Sequence, residues 1–564
     1  MMSSEKLPQV AYFCMEYGLD KELPIYAGGL GILAGDYLKS AKDLDYPVVG
    51  IGILWKQDYT TQLIGEDGRP YDQYPTYDYS FVKDTGKTIT VRVRGEEVTC
   101  KIKVVDQYEN APLYLLDTNF PGSPHGWMTC RLYGGGAQDR IANEIILGIG
   151  GVRALRALGI SPAVYHFNEG HAVFAGLELI REKMKLGMDF EKAWQEIRKQ
   201  IVFTTHTPVE AGNEMHDHGL LQHMEAYNGL NYEQMNRLGG NPFNMTVAAL
   251  RLSSQSNAVS KIHAHTAQEM WKNIEDKAPI VAITNAVHAK TWQNPEIKAA
   301  YDAGNGLWDV HKKAKEKLIQ YIQDKNQETL KADALIIGFA RRAAAYKRSE
   351  LIFRDFEKIK PLLNEGKIQL VFSGKAHPND QHGKDIIARI VNMDKTFGNS
   401  VVFLENYDMD IAKILVQGCD VWLNNPKRPL EASGTSGMKA ALNGVLNISV
   451  VDGWVAEGVK HKESGWLLDY VCQREECWKQ DEFDAQALYY VLQNEVLPTY
   501  YNDQSRWEKM MKASIEMAES YFTAERMVKE YYEKMYMQAA QAKQPAWMLG
   551  NEFYKHETQN QLNP

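Results

Sequence analysis

The run Glu431-Ala-Ser-Gly-Thr-Ser-Gly-Met-Lys439 sets an amine just after a loop of small and hydroxyl-bearing residues. Before it, Cys419-Asp-Val-Trp-Leu423 predicts a buried strand; after it, Ala440-Ala-Leu-Asn-Gly-Val445 begins as a helix. Unpaired N–H groups at a helix start, with the positive end of its dipole, favour an anion, and Gly434 and Gly437 let the backbone approach one closely. A phosphate bound there would lie beside Lys439, whose amine could form an imine with an aldehyde on the same ligand. That pairing suggests pyridoxal phosphate. The plain alternative is a solvated lysine in a first helical turn.

A second concentration of chemistry follows the predicted strand Ala334-Leu-Ile-Ile-Gly-Phe339, in Ala340-Arg341-Arg342-Ala-Ala-Ala-Tyr346-Lys347-Arg348. Four cations within eight residues at the end of a buried strand are costly unless an anion neutralises them. Arginine offers a fork for phosphate oxygens and lysine a point charge; a basic helix face in water is the other reading. With a second phosphate at Thr435 and Ser436, two anions would face each other, which suggests chemistry between phosphates. Asn168-Glu169-Gly170-His171 and His206-Thr207 follow the predicted strands Ala163–Phe167 and Ile201–Thr205, and strand ends are where an open α/β sheet places its ligands.

The 564 residues, 44% hydrophobic and 24% charged, are enough for two large globular domains. A net charge of -9 argues against tracking of nucleic acid or anionic membrane by bulk charge, so a phosphate ligand needs a focused cluster of cations. The six cysteines are scattered, with only Cys472 and Cys477 close, and show neither a zinc pattern nor a disulfide framework. No metal site is expected. The start has no signal-peptide core, and no run approaches the roughly eighteen apolar residues of a membrane span, so the expected location is cytoplasmic.

Several elements must position these residues. Val10–Cys14, the glycines of Tyr26-Ala-Gly-Gly-Leu-Gly31, a helical pattern through Leu44 and Val48–Leu54 make a strand, loop, helix, strand unit. Thr88–Arg94 and Val98–Val104 alternate about a turn, predicting an inserted hairpin. A long helix is expected from Asp139 to Leu158. After Thr284-Asn285, charged helical sequence from Asn294 to Lys331 looks like a connector, and a second series of strands follows it: Ala334–Phe339, Gln369–Ser373, Ser400–Leu404, Cys419–Leu423 and Leu446–Val450. Helix is expected from Phe483 to about Ala542, then a loosely ordered tail beyond Gln544.

These motifs resemble those of the α-glucan phosphorylases, the glycogen, starch and maltodextrin enzymes. Glu431 to Gly444, with Asp452-Gly453 downstream, is similar to the family's pyridoxal phosphate signature. Gly28-Gly-Leu-Gly31, Asn168-Glu-Gly-His171, Thr205-His-Thr207, Thr284-Asn285, the Arg341 to Arg348 cluster, Gly374-Lys-Ala-His-Pro378 and Leu404-Glu-Asn-Tyr407 occur in family order. The resemblance implies an α/β fold of two Rossmann-like domains facing across a cleft, the glycosyltransferase B arrangement. The expected divisions are 1–288, with the inserted hairpin; 289–520, carrying the cofactor; and 521–564, a helix packing back on the first domain plus the tail.

It also implies phosphorolysis of a terminal α-1,4-linked glucose, with retention, giving glucose 1-phosphate. Lys439 would carry pyridoxal 5'-phosphate, held through its phosphate by Arg341 and the Thr435 and Ser436 backbone. Arg342, Lys347 and the Gly29 amide would hold substrate phosphate; Glu431, Ser433, Gly434, Asn285, His206 and Leu30 would line the glucose pocket, with Tyr346 nearby. Lys439, Arg342, Lys347 and His206 are the expected catalytic residues. A phosphate anion on the same face of the sugar can stabilise the oxocarbenium ion while giving a proton to the leaving oxygen, and a neighbouring phosphate can return one. A homodimer is a family expectation, and the nucleotide and phosphorylation control of the larger enzymes is expected to be absent.

Two departures from the family pattern, Ala-Ala-Ala between Arg342 and Tyr346 and Glu169 where many members carry Asp, fall on the acceptor side. The rival readings are a nucleotide-sugar glucan synthase on the same fold, an inactive glucan-binding protein and a disaccharide phosphorylase. The synthases hold the nucleotide ribose with a second glutamate eight residues after the first; eight residues after Glu431 stands Lys439.

Overall fold

The computed structural model describes residues 7–209, 212–470 and 480–541. The expected tail beyond Gln544 and the Cys472 and Cys477 pair lie outside them. Short β-branched and aromatic runs such as Val10–Phe13 and Val48–Ile53 are buried along their whole length, as strands covered on both faces must be. They join a nine-stranded sheet. In spatial order it runs Ile280–Ala282, Gln255–Ala258, Ile201–Thr204, Val164–Asn168, Val10–Phe13, Val48–Ile53 and Leu113–Asp117, all parallel. The predicted hairpin, Glu96–Val105 and Lys83–Val93, extends that edge antiparallel. The second sheet has six parallel strands, ordered Val401–Leu404, Ile368–Ser373, Leu335–Ala340, Val421–Asn424, Leu446–Ser449 and Gly465–Leu467.

In both sheets the first strand in sequence sits inside, and the chain fills one side before crossing to the other. The order reverses between Val10–Phe13 and Val164–Asn168, and again between Leu335–Ala340 and Val421–Asn424. A crevice opens beyond the carboxyl ends of strands at such a reversal. The chain leaving those four ends carries Glu16, Glu169, Arg341 and Glu431.

Three departures from the predicted elements have local causes. The 139–158 helix is Ala137–Ile145 and Gly151–Ala157 joined by a π turn, Ile146–Gly150. Gly148 in that turn lies so close to the next helix that a Cβ would fall 2.6 Å from the Ala175 nitrogen. The strand Gln255-Ser-Asn-Ala258 is too polar to show as a strand in sequence, although Ser256, Asn257 and Ala258 are buried. A hairpin of Thr61–Ile64 and Pro70–Gln73 also went unread.

That hairpin docks on elements of the second sheet. Gln62 exchanges two hydrogen bonds with the Ala376 backbone, at 2.9 and 3.1 Å; Ile64 N–H donates to Glu405 at 2.7 Å; and Asp72 pairs with Lys384. Beyond the strand ends, the Ser260 hydroxyl caps the helix Lys261–Met270 and donates to the Ala432 carbonyl at 2.6 Å. The last helical segments, Ala524–Tyr531 through Met537–Ala540, return to the core of the first sheet. There the Tyr536 hydroxyl meets Tyr37 at 2.7 Å and His166 Nδ1 at 2.6 Å, while the Tyr531 hydroxyl accepts from Asn257 at 3.1 Å.

Candidate active site

Lys439 is the fourth residue of the short helix Ser436–Leu442, which follows the strand Val421–Asn424 through the expected loop. It is buried, and its Nζ lies 3.6 Å from the centroid of the Trp292 ring. Burial pushes its pKa down to about 8, with Asp36 opposing the shift. An amine in that range is available as a nucleophile near neutral pH. The plain reading of a solvated first-turn lysine does not hold.

The loop before it is built from both sides. Gly434 has φ +78, left-handed backbone that glycine adopts freely, and a Cβ there would lie 3.7 Å from Arg341 Nη2. Arg341 therefore reaches the Gly434-Thr435 segment. Gly437 serves another purpose than the expected backbone approach to an anion. A Cβ there would meet Asn447 Oδ1 at 2.5 Å and Trp454 at 2.9 Å, so its smallness lets the helix pack. Ser436 Oγ accepts the Trp422 indole N–H at 3.1 Å, the Thr435 carbonyl accepts from Met438 at 3.1 Å, and the Ser433 carbonyl accepts from Trp454 at 3.1 Å.

The four cations after Ala340 separate. Arg341 and Lys347 are buried and both pair with Oε2 of Glu431, Arg341 at 2.5 Å. Arg341 also donates to Asn424 Oδ1. Burial raises the Glu431 pKa, but Lys347 and then Arg341 outweigh it and hold the carboxyl at about 2. The Glu431 N–H donates to Asp452 at 3.0 Å. Arg342 is exposed and acts electrostatically on Tyr59 and His377. Arg348 turns away to Asp481 and Asp484, and its guanidinium also donates to the Asn425 and Pro426 carbonyls, so it binds elements together rather than joining the anion cluster. The Lys347 ammonium lies 4.6 Å from the Tyr346 ring centroid.

From the first sheet come the remaining predicted residues. His206 Nε2 faces Asn168 Oδ1 at 2.7 Å, so that nitrogen carries the proton, and its backbone N–H donates to Glu169 at 2.5 Å. Burial, aided by His263, pushes the His206 pKa down to about 3. Glu169 holds this turn at φ 72 while accepting from Gly170 and Thr207. The Oδ1 of Asn285 and Oγ1 of Thr205 are buried without a partner among the described residues, a state that a bound hydroxyl-rich ligand would relieve. Gly29 and Leu30 open the helix Gly29–Asp43, and a Cβ on Gly28 or Gly29 would meet nothing within 4 Å.

Sequence reasoning missed the residue that fixes this last turn. Glu16 Oε2 accepts the N–H groups of Ala27 and Gly28 at 2.7 and 3.0 Å, and its Oε1 accepts the Tyr133 hydroxyl at 2.8 Å. Its place just past the first predicted strand was the available signal. Asn424, which braces Arg341, was likewise unread, whereas Asp452, which accepts from the Glu431 N–H, belongs to the signature already noted. Behind His171, Glu144, Glu214 and His216 bring ligand-type atoms within 4.8 Å of one another. The Arg140 guanidinium already neutralises this group, at 2.8 Å from Glu214 and 3.3 Å from Glu144.

Two largely parallel α/β sheets, with a buried lysine and paired cations at the reversal of strand order in the second, define the class: an α/β protein with its candidate site at the carboxyl ends of its strands. Comparison with known proteins narrows it. The family model described as carbohydrate phosphorylase matches residues 293–461. The chain is 42% identical to a maltodextrin phosphorylase of Thermococcus litoralis, over 94% of this chain and 70% of that one. It is 37% identical to a glycogen phosphorylase of Aquifex aeolicus (93% and 86%) and 35% identical to one of Mycobacterium bovis (96% and 72%). The chain belongs to the carbohydrate phosphorylase family.

Proposed function

We propose that this enzyme cleaves the terminal α-1,4-linked glucose of glucans such as maltodextrin with orthophosphate, giving glucose 1-phosphate with retention. The observation that carries the reading is the buried pairing of Arg341 and Lys347 with one carboxylate, beside the Lys439 loop. Two cations against one anion leave net positive charge where burial makes it costly, so a bound phosphate anion stabilises the site. The family relatives, named for phosphorylase activity on glycogen and maltodextrin, support the substrate class.

The residues also fit pyridoxal 5'-phosphate: the Lys439 amine is buried and weakly basic, and Arg341 reaches the Gly434 to Ser436 loop. When bound, the cofactor's phosphate supplies a group that exchanges a proton with substrate phosphate. Lys439 is its attachment point, and Arg341 with the Thr435 and Ser436 backbone holds its phosphate. Lys347, Arg342 and the Gly29 amide hold and orient substrate phosphate beneath the sugar. Glu431, Ser433, Gly434, Asn285, His206 and Leu30 bind the terminal glucose, with Tyr346 beside them. His206 does so as a neutral acceptor through Nδ1, since its Nε2–H is given to Asn168 and its environment disfavours the imidazolium.

Two Rossmann-like domains, 1–288 and 289–520, face across a cleft in the glycosyltransferase B arrangement, with 521–564 returning to the first. The separate winding of each sheet and the Ser260 to Ala432 contact beyond their strand ends support this architecture. No helix among the described residues is long and apolar enough to cross a membrane, and we place the reaction in the cytoplasm, where charged sugar phosphates are retained. The test is incubation with orthophosphate and a panel of maltose, maltodextrins, glycogen, trehalose and sucrose, assaying glucose 1-phosphate. Release from the α-1,4 glucans supports the reading. Glucan extension from a nucleotide sugar, with no glucose 1-phosphate formed, would overturn it.

A further inference from the structure

Asp36 lies in the helix Gly29–Asp43, one turn past the glycines, yet it is 1% exposed and faces neither substrate phosphate nor glucose residues in the roles assigned above. Its partners are all N–H donors: the Trp292 indole at 2.9 Å to Oδ2 and 3.2 Å to Oδ1, and the His288 backbone at 3.0 Å. A carboxyl surrounded by donors is disposed to be the anion. Trp292 is the residue whose ring lies 3.6 Å from Lys439 Nζ. Its backbone is fixed as well, because Asn443 donates to both the Trp292 and Lys439 carbonyls, at 3.0 and 2.9 Å. The lysine amine, the ring face and the carboxylate at the ring edge are thus tied into one unit.

We propose that Asp36 is a positioning residue for Lys439: it fixes the Trp292 indole as the wall against which the amine rests and enriches the ring face that meets it. An anion accepting the indole N–H draws the proton outward and leaves more electron density on the π face, which strengthens attraction for a cation there. Asp36 therefore favours the charged amine, opposing the burial that favours the neutral one. The other titratable groups near Asp36 are Lys39, whose ammonium donates to the Leu19 carbonyl at 2.8 Å, and the His288 ring, which faces Asp43 at 3.0 Å. Burial raises the Asp36 pKa and Lys439, then His288, oppose that rise. The inference rests on the reading of Lys439 as the attachment residue, but its test reads the amine directly.

In full-length protein stripped of cofactor, the rate of Lys439 acylation by an amine-directed reagent is followed against pH by peptide mass mapping. Asp36→Asn is expected to move the inflection down by about one pH unit, making Lys439 about tenfold more reactive below it. Trp292→Phe keeps a ring but loses the N–H, and should shift it the same way. Because Asp36 acts in part directly on the amine and in part through the ring, the double variant should shift by clearly less than the two single shifts added. An unmoved or raised inflection in Asp36→Asn, or shifts that add in the double variant, would overturn the inference. Should Asp36→Asn fail to fold, Trp292→Phe decides alone: a downward shift supports the inference and an unmoved inflection overturns it. Borohydride reduction of the cofactor-loaded protein and mapping of the label separates the two readings. A label on another lysine removes the attachment role and leaves the acylation result standing.

Discussion

Lys347 and Arg341 meet on one oxygen atom, Oε2 of Glu431. Because their cations hold the Glu431 carboxyl at about 2, below its ordinary 4.5, its contribution to stability is fully present above about pH 4.5 and is lost as the pH falls toward 2. Glu431→Gln should lower stability at pH 7 by on the order of 3 kcal/mol, with the gap narrowing in acid. Urea unfolding midpoints of both proteins at pH 7 and pH 3 check this. Midpoints that stay equally separated would assign the loss to something other than the charge.

Lys347 is assigned to substrate phosphate and Arg341 to the cofactor loop, so their alanine variants should fail differently. Lys347→Ala should retain pyridoxal phosphate and lose roughly a hundred- to thousandfold in kcat, the ~2.7 to 4 kcal/mol of one charged donor in a preorganised anion site. Cofactor absorbance, followed by kinetics with orthophosphate varied at saturating maltodextrin, measures both. Loss of the cofactor from Lys347→Ala, or unchanged phosphate kinetics, would refute this division of the cations.

His206 should stay neutral throughout the working range. Its pKa is pushed down to about 3, so its ring resonances in NMR should not titrate between pH 5 and 8. Asn168→Asp puts a carboxylate against Nε2, the nitrogen now donating to Asn168 Oδ1. That variant should raise the pKa and bring the titration into view. A wild-type His206 that titrates near 6.5 would contradict the neutral role.

Most strands of the two sheets were legible in sequence because they are buried along their length, and continuous apolar strands announce themselves; the polar Gln255–Ala258 did not. The Lys439 loop was legible for a related reason: its residues are adjacent in the chain. What stayed hidden joins distant positions. Nothing local to Asp36 or Trp292 marks them as neighbours of Lys439, and Gln62 gives no sign that it will pair with the Ala376 backbone. Arg348 misled through proximity, since a strand end can send neighbouring side chains to opposite walls. Gly437 misled through composition, because smallness served helix packing instead of ligand approach.

Tyr536→Phe tests the return of the last helical segments. The hydroxyl bonds both Tyr37 and His166 Nδ1 in a fully buried position, so removing it strips two polar atoms of their partner. The expected cost is ~1 to 3 kcal/mol, read as a lower urea midpoint with unchanged slope. An unaltered midpoint would show that another group satisfies His166 and Tyr37.

That same contact bears on how the protein is made. Strand residues His166, Thr204 and Asn257 are synthesised hundreds of positions before the tyrosines that satisfy them. While the chain is still emerging from the ribosome, the first sheet has a polar and aromatic slot with nothing to fill it. Its final packing waits for residue 536, so completion of the earliest half follows synthesis of the later one. Such late, long-range closure is slow and leaves the nascent chain exposed to aggregation. A truncation just short of Ala524 would remove the piece on which the beginning of the chain depends.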